Sequence, residues 1–143
     1  VNSLRGGFDQ GVANSRAQTE TYRASWQKIA DAAAAAKAAC GTDSPTIQAV
    51  LDKSAKALTR ATEALAALDQ IRGRSETLNA GGDDPAVVLT GITNSYLELL
   101  SNGTLPSAEE LNEAARESQN TAGSLYSQMN QLSSARLCAL TGN

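Results

Sequence analysis

The polar side chains that interrupt an otherwise apolar helical pattern are the residues of this sequence best suited to chemistry. They stand where the three-and-four spacing of a packed helix predicts an apolar residue. Arginine presents a planar fork of donors that fits a carboxylate, nitrate or nitrite, and a nearby hydroxyl adds a further donor. The interrupting residues are Ser15, Thr19, Ser54, Arg72, Ser75, Ser118 and Arg136.

Two interpretations of these positions are open. In the first, each polar residue lies near an end of the helices and extends its head group to solvent. In the second, one or two of them bind a small anion between helices, and Arg5, Arg16 and Arg23 lie beside the same apolar seam and could contribute. Under the second interpretation, the residues predicted to bind the ligand are Arg16, Thr19, Arg72, Ser118 and Arg136.

The residue types of this chain do not indicate a catalytic site or a metal-binding site. The chain has no histidine, the commonest general base and a common metal ligand. The acidic pairs Asp83-Asp84 and Glu109-Glu110 stand at predicted helix N-termini, where carboxylates complement the helix dipole. The two cysteines lie far apart and lack the CxxC spacing of a zinc site. We therefore expect no enzyme activity, no cofactor and no metal.

Charge and hydropathy narrow the classes of partner. The formal net charge is −3, with 12 basic and 15 acidic residues interspersed, so the basic stripe of a nucleic-acid-binding surface is missing. No stretch of about 18 apolar residues could span a bilayer. Contact with a membrane is expected only through flanking segments outside this sequence.

Four helices are predicted to position the polar residues, within one domain covering 1–143. Aromatic residues are only 3% of the chain, and a thin, alanine-rich core fits closely packed long helices. Proline after an N-cap residue opens the second and third segments, and glycine follows the first three as a stop signal. The predicted segments run from Ser3 to Ala39, from Asp43-Ser44-Pro45 to Ala80-Gly81-Gly82, from Asp83-Asp84-Pro85 to Asn102-Gly103, and from Ser107 through Ala139.

The predicted fold class is all-α, an antiparallel four-helix bundle with three long helices and one short helix. Short connections make neighbouring helices antiparallel. The two cysteines test this topology, because Cys40 ends the first helix and Cys138 nearly ends the fourth. In an up-down-up-down bundle these ends lie about 50 Å apart, whereas a disulfide tolerates about 7 Å between Cα atoms. The cysteines are therefore unpaired, which we favour, or a helix folds back, for instance at Gly73 or Gly123.

Several stretches resemble the helical extracytoplasmic sensor domains of bacterial receptors, most closely the nitrate- and nitrite-sensing (NIT-like) type. The resemblance covers most of the chain. The stretches that carry it are Gly6-Gly7-Phe8, Arg16-Ala17-Gln18-Thr19-Glu20, Leu65 to Arg72, Asp84-Pro85, Tyr96-Leu97-Glu98-Leu99-Leu100 and Ser134-Ala135-Arg136-Leu137.

The resemblance implies a receptor input module on the periplasmic or extracytoplasmic face of the inner membrane. Such a module belongs to a chemoreceptor, histidine kinase or similar transmembrane receptor, packs as a homodimer and signals by displacement of helices. Its expected ligand is a small, anionic solute. The alternative is a periplasmic helical structural or adaptor protein of an envelope or secretion assembly, which predicts an exposed apolar patch and no internal pocket.

Overall fold

Helices account for nearly all of the computed structural model, which describes residues 2–41, 44–78, 82 and 84–141. Within those residues no β-strand occurs, so the predicted all-α class is confirmed. None of the described helices combines the length and the apolar character needed to cross a membrane. The elements are α1 (Asn2–Cys40), α2 (Pro45–Glu76), α3 (Pro85–Ser101), α4 (Ala108–Glu117), a π-helical turn (Ser118–Ala122), α5 (Gly123–Gln131) and α6 (Ser134–Thr141).

The chain divides into two compact units. Unit 1 comprises residues 1–21 and 60–107, and unit 2 comprises residues 22–59 and 108–143. One domain over 1–143 therefore stays a prediction.

Several helix ends follow the capping signals of the sequence, but α2 ends at Glu76, before the predicted stop at Ala80-Gly81-Gly82. The Asp84 carboxylate accepts a hydrogen bond from the Ala86 amide at 3.0 Å, with Pro85 as the first residue of α3. Gly41 and Gly103 both have positive φ, 75° and 80°, as expected of glycines that follow a helix. The predicted signals at Asp43, Asp83 and Ala80-Gly81 lie outside the described residues.

The fourth predicted helix is not one long helix. A π-helical turn at Ser118–Ala122 interrupts the regular helical spacing, and before it Ala114 is buried whereas Ala115 is exposed. α5 ends at Gln131 because the backbone of Leu132 is extended. The Ser133 hydroxyl then accepts a hydrogen bond from the Arg136 amide at 3.4 Å, at the start of α6. The described residues thus contain two long helices, of 39 and 32 residues, and the predicted third is wrong.

In unit 1, α3 packs beside α1 and runs in the same direction. Tyr96 contacts Phe8, Gly11 and Ser15 of α1. Beyond the end of α3, the Arg60 guanidinium of α2 donates to the carbonyls of Gly103 and Leu105 at 2.7 and 3.2 Å. The core of the unit is formed by Phe8, Val12, Ala64, Leu68, Ile71, Leu78, Leu89, Ile92 and Leu105.

In unit 2, the segment from α4 to α6 also runs in the direction of α1. Glu117 pairs with Lys53, whose ammonium lies 5.4 Å from the centre of the Trp26 ring. Further along, Cys138 lies beside Cys40. The antiparallel four-helix arrangement is therefore not confirmed, and the expectation that α1 and the last helical segment run in opposite directions is wrong within this unit. The core is formed by Ala32, Ala33, Ala36, Cys40, Ile47, Ala122 and Leu125.

The two cysteines form a disulfide, with their Cα atoms 5.2 Å apart. The favoured prediction of unpaired cysteines is therefore wrong. It failed because it rested on the antiparallel course of the last helix, whereas parallel courses bring both cysteines to the same end of unit 2. The alternative of a helix folding back at Gly73 or Gly123 also does not apply, because both glycines lie in helical backbone.

Candidate ligand-binding groove

The five residues predicted to bind an anion are divided between the two units. Arg16, Thr19 and Arg72 belong to unit 1, and Ser118 and Arg136 belong to unit 2. Each group is considered within its own unit.

Arg16 and Arg72 converge in unit 1, but on carboxylates of the chain itself. The Arg16 guanidinium donates to Asp69 at 2.8 Å and pairs also with Glu20. Arg72 lies 3.6 Å from Asp69 and 3.9 Å from Glu76. Two cations thus meet three carboxylates, and an added anion would enter a region of net negative charge.

The hydroxyl groups of the seam are buried, as their spacing predicted, and are used within the protein. Thr19 donates to the Ser15 carbonyl at 2.7 Å, and Ser54 donates to the Val50 carbonyl at 2.8 Å. The Ser75 hydroxyl donates to the Asp9 carboxylate at 2.8 Å. Thr19 and Ser54 are therefore engaged within their own helices and Ser75 is engaged by α1, so none of the three is directed at a ligand.

In unit 2, Ser118 is buried at the start of the π-helical turn, and Arg136 is exposed on α6. Arg72 is also exposed, with about half of its side-chain surface open to solvent (52%). The first interpretation, in which each polar residue of the seam extends to solvent, therefore holds for Arg72 and Arg136. It is wrong for the buried residues Ser15, Thr19, Ser54, Ser75 and Ser118.

A groove of about 540 Å³ lies in unit 1 between the first turns of α1 and the length of α3. This volume is within the range of about 300 to 1,000 Å³ found for small-molecule sites. Its lining is predominantly apolar and, among the described residues, carries no charged side chain. The lining residues are Ser3, Leu4, Gly7, Phe8, Ala86, Leu89, Thr90, Thr93, Asn94, Tyr96 and Leu97.

Glycine on α1 creates the space for this groove. A β-carbon added at Gly7 would meet nothing within 4 Å, so the missing side chain leaves open volume beside α3. One helical turn later, the Tyr96 ring approaches to 3.5 Å from the position of a Gly11 β-carbon. The spacing of Leu4, Gly7 and Gly11 by three and four places all three on one face of α1.

Tyr96 is held in one position by three contacts with α1. Its hydroxyl donates to the Gly11 carbonyl at 3.0 Å and lies 2.6 Å from the Ser15 hydroxyl, which donates to it in turn. Its ring packs edge-to-face on Phe8, with 5.9 Å between centroids. One wall of the groove is therefore rigid and its polar group is satisfied.

Two leucines leave much of their apolar surface in solvent at this groove. Leu4 is 71% exposed and Leu97 is 53% exposed, and both line it. Large apolar side chains left open beside a cavity are typical of binding surfaces. The polar residues of the helical seam do not point to this groove, which is lined mainly by apolar side chains and by Gly7 of α1.

Unit 2 contains a buried polar group with no hydrogen-bond partner among the described residues. This group is the indole N–H of Trp26, a residue only 5% exposed. The Lys53 ammonium above the ring donates to Glu117 at 2.8 Å, and this hydrogen bond raises the pKa of Lys53. No cluster of three potential metal ligands occurs within the part of the chain that the structure describes.

The pairing of Asp69 with Arg16 predicts a small, pH-dependent contribution to stability. The hydrogen bond from Arg16 lowers the pKa of Asp69 below its ordinary value of 3.8. A lowered carboxyl pKa stabilises the fold above the unfolded value, and the contribution is lost as pH falls through the folded value. In Asp69→Asn we expect the free energy of unfolding at pH 7 to fall by less than about 1 kcal/mol, because the pair is solvent-exposed.

Urea titrations of the wild type and Asp69→Asn from pH 7 to pH 2.5 would measure this contribution. The wild type should lose more stability than the variant below about pH 4. Arg16→Gln serves as the matched control, since it removes the partner and should flatten the same part of the profile. Identical slopes in all three proteins would contradict the prediction.

Comparison of the chain with family models, curated proteins and solved structures finds no match.

Proposed function

We propose that this chain is the extracytoplasmic sensor domain of a bacterial transmembrane receptor, a chemoreceptor, histidine kinase or similar protein. It binds a small solute between helices, and displacement of those helices carries the signal. The observation that carries the proposal is the groove between α1 and α3 of unit 1, with a volume of about 540 Å³ and a rigid tyrosine wall. An open groove of this volume favours ligand binding over a purely structural role.

The disulfide supports a location outside the cytoplasm. Disulfides persist in the periplasm and at the cell surface, and they are rare where glutathione and thioredoxin keep thiols reduced. The bond between Cys40 and Cys138 therefore fits the periplasmic or extracytoplasmic face of the inner membrane. Homodimer formation belongs to the same proposal, and light scattering across a concentration series would measure it.

The residues first expected to hold an anion support this proposal less than the groove does. Arg16 and Arg72 are engaged by Asp69, Glu20 and Glu76. The contacts within unit 1 therefore support the binding of a small solute there. They do not require that this solute be an anion.

A periplasmic structural or adaptor protein is the second candidate function, and one observation favours it. Val87, Leu97 and Leu100 of α3 and Leu4 of α1 are all at least half exposed (67%, 53%, 50% and 71%). Exposed apolar side chains of this kind would suit a protein partner. Recovery of a specific envelope protein on immobilised wild type, but not on Val87→Ser/Leu100→Ser, would favour this role. These two residues are chosen because they do not line the groove.

Thermal-shift screening combined with methyl NMR tests the sensor proposal. The library contains nitrate, nitrite, small carboxylates, amino acids and uncharged small molecules. A ligand present at 100 times its Kd stabilises by about 2.7 kcal/mol, which raises Tm by roughly 5 to 10 °C in a protein of this size. We expect at least one compound to do so and to shift the methyl signals of Leu4, Leu89 and Leu97. A library without any such compound would remove the support for a sensor.

A further inference from the structure

We propose that the groove of unit 1 takes an uncharged, amphipathic small molecule, with an apolar body and one neutral polar end. This inference rests on the proposed function and identifies the chemical class of its ligand. It differs from the small anion that the sequence suggested.

Charge is the first argument for this ligand class. None of the described residues that line the groove has an ionisable carboxyl, ammonium or guanidinium group. A charged ligand would leave water without an opposite charge to receive it, and burying an unpaired charge is strongly unfavourable. The nearest candidates for an anion-binding role, Arg16 and Arg72, lie outside the lining and contact carboxylates.

The shape of the lining gives the second argument. Phe8 and Leu89 are nearly completely buried and form the inner surface, whereas Leu4 and Leu97 stay largely exposed. A ligand with an apolar body would cover the exposed parts of both leucines and remove them from water. The open volume beside Gly7 allows that body to approach the backbone of α1.

The polar groups of the lining suit one neutral hydrogen-bonding end. Thr93 and Asn94 supply a hydroxyl and an amide from successive positions of α3, and each can donate or accept. The Tyr96 hydroxyl already contacts Gly11 and Ser15, so it is less available for this purpose. An alcohol or an amide matches these groups without adding charge.

The test compares neutral and anionic probes of equal chain length on the intact protein. N-phenyl-1-naphthylamine, an uncharged dye whose emission rises in apolar surroundings, reports occupancy of the groove. Competition is measured with 1-octanol, octanamide and octanoate, and with nitrate. We expect the dye to bind and the two neutral chains to displace it at least tenfold more effectively than octanoate at pH 7, with no displacement by nitrate.

Neighbouring glycines provide a matched pair of variants that ties binding to this groove. Gly7 lines it and Gly6 does not, and a β-carbon at either position would meet nothing within 4 Å. Gly7→Leu should fill the groove and weaken dye binding at least tenfold, whereas Gly6→Leu should leave it within about twofold of wild type. Circular dichroism should show that both variants keep their helices, since both remove a glycine from a helix.

Each result decides between the two levels of the proposal. If octanoate or nitrate binds the wild type and Gly7→Leu abolishes this binding, the uncharged ligand class is overturned and the sensor site stays in place. Equal dye binding by the Gly7→Leu and Gly6→Leu variants would overturn the assignment of the groove itself. Absence of binding by every probe, together with no response in the thermal-shift screen, would overturn both the ligand class and the sensor function.

Discussion

Replacing Cys40 and Cys138 together with serine is expected to lower the free energy of unfolding by about 4 kcal/mol. The disulfide joins residues separated by 98 positions, so it removes a large share of the conformational freedom of the unfolded chain. A closed loop of about 100 residues corresponds to about 4.7 kcal/mol in the chain-entropy account, and natural disulfides commonly contribute about 2 to 5 kcal/mol.

Chemical denaturation followed by tryptophan fluorescence would measure this loss. Trp26 is the single tryptophan of the chain and lies in unit 2, as do both cysteines. The wild type reduced with a phosphine serves as the control, because it lacks the bond but keeps the cysteine side chains. It should match the double variant to within about 1 kcal/mol, apart from the small change of sulfur to oxygen. A loss below about 1 kcal/mol in both proteins would contradict the prediction.

Shortening Ile92 to alanine is expected to lower the free energy of unfolding by about 3 kcal/mol, within the range of about 2 to 5 kcal/mol seen for such core changes. Ile92 is completely buried in the core of unit 1 (0% exposed), among residues of α1, α2 and α3. The loss combines the transfer free energy of the removed methyl groups with the cavity that a helical core fills only partly. Removing a side chain at the centre of a thin core leaves few neighbours able to close the space.

Its neighbour Gly91 supplies a control with the opposite expected sign. A β-carbon at Gly91 would meet nothing within 4 Å, so Gly91→Ala adds a good helix former without crowding. It should raise the free energy of unfolding by up to about 1 kcal/mol. Urea denaturation followed by circular dichroism at 222 nm measures both variants. Equal destabilisation by both would indicate that α3 itself, rather than the buried side chain, is the sensitive feature.

Much of the secondary structure could be predicted because its signals are local. Asp84-Pro85, Gly41 and Gly103 act through hydrogen bonds and dihedral angles within a few residues, and α3 and α1 begin or end where they indicate. The break after Gln131 was harder, because Leu132-Ser133 stands inside an uninterrupted apolar spacing. Ser133 differs from a serine inside a helix because its hydroxyl oxygen accepts a hydrogen bond from the backbone N–H of Arg136, in the first turn of α6.

The direction of the last helices could not be read from connection lengths. A short connection permits a hairpin but does not require one, and the cysteines were the residues that contained the missing information. The antiparallel rule makes a bond between these cysteines the less favoured of two alternatives. Treating Cys40 and Cys138 as bonded would have indicated that α6 ends beside the end of α1.

The candidate site was missed for a related physical reason. The guanidinium groups of Arg16 and Arg72 indicate an anion site when they are considered without their carboxylate partners. Arg16 meets Asp69, which is 53 positions away, so its neutralisation depends on the packing of α1 against α2. The groove depends instead on the missing side chain of Gly7, and an absence of atoms gives no chemical signal in a sequence.

The bond between Cys40 and Cys138 also closes the segment between these two residues into a covalent ring, which α1 enters at Cys40. Cleavage of one peptide bond anywhere between these residues opens the ring but leaves both products attached to each other. A protease that cuts the connection between α3 and α4 therefore produces a nicked molecule of nearly unchanged mass on a non-reducing gel. Reduction separates it into two fragments. The molecule can thus be cut once between the two cysteines without losing any segment. This follows from the disulfide connectivity alone and does not depend on the strength of the surrounding contacts.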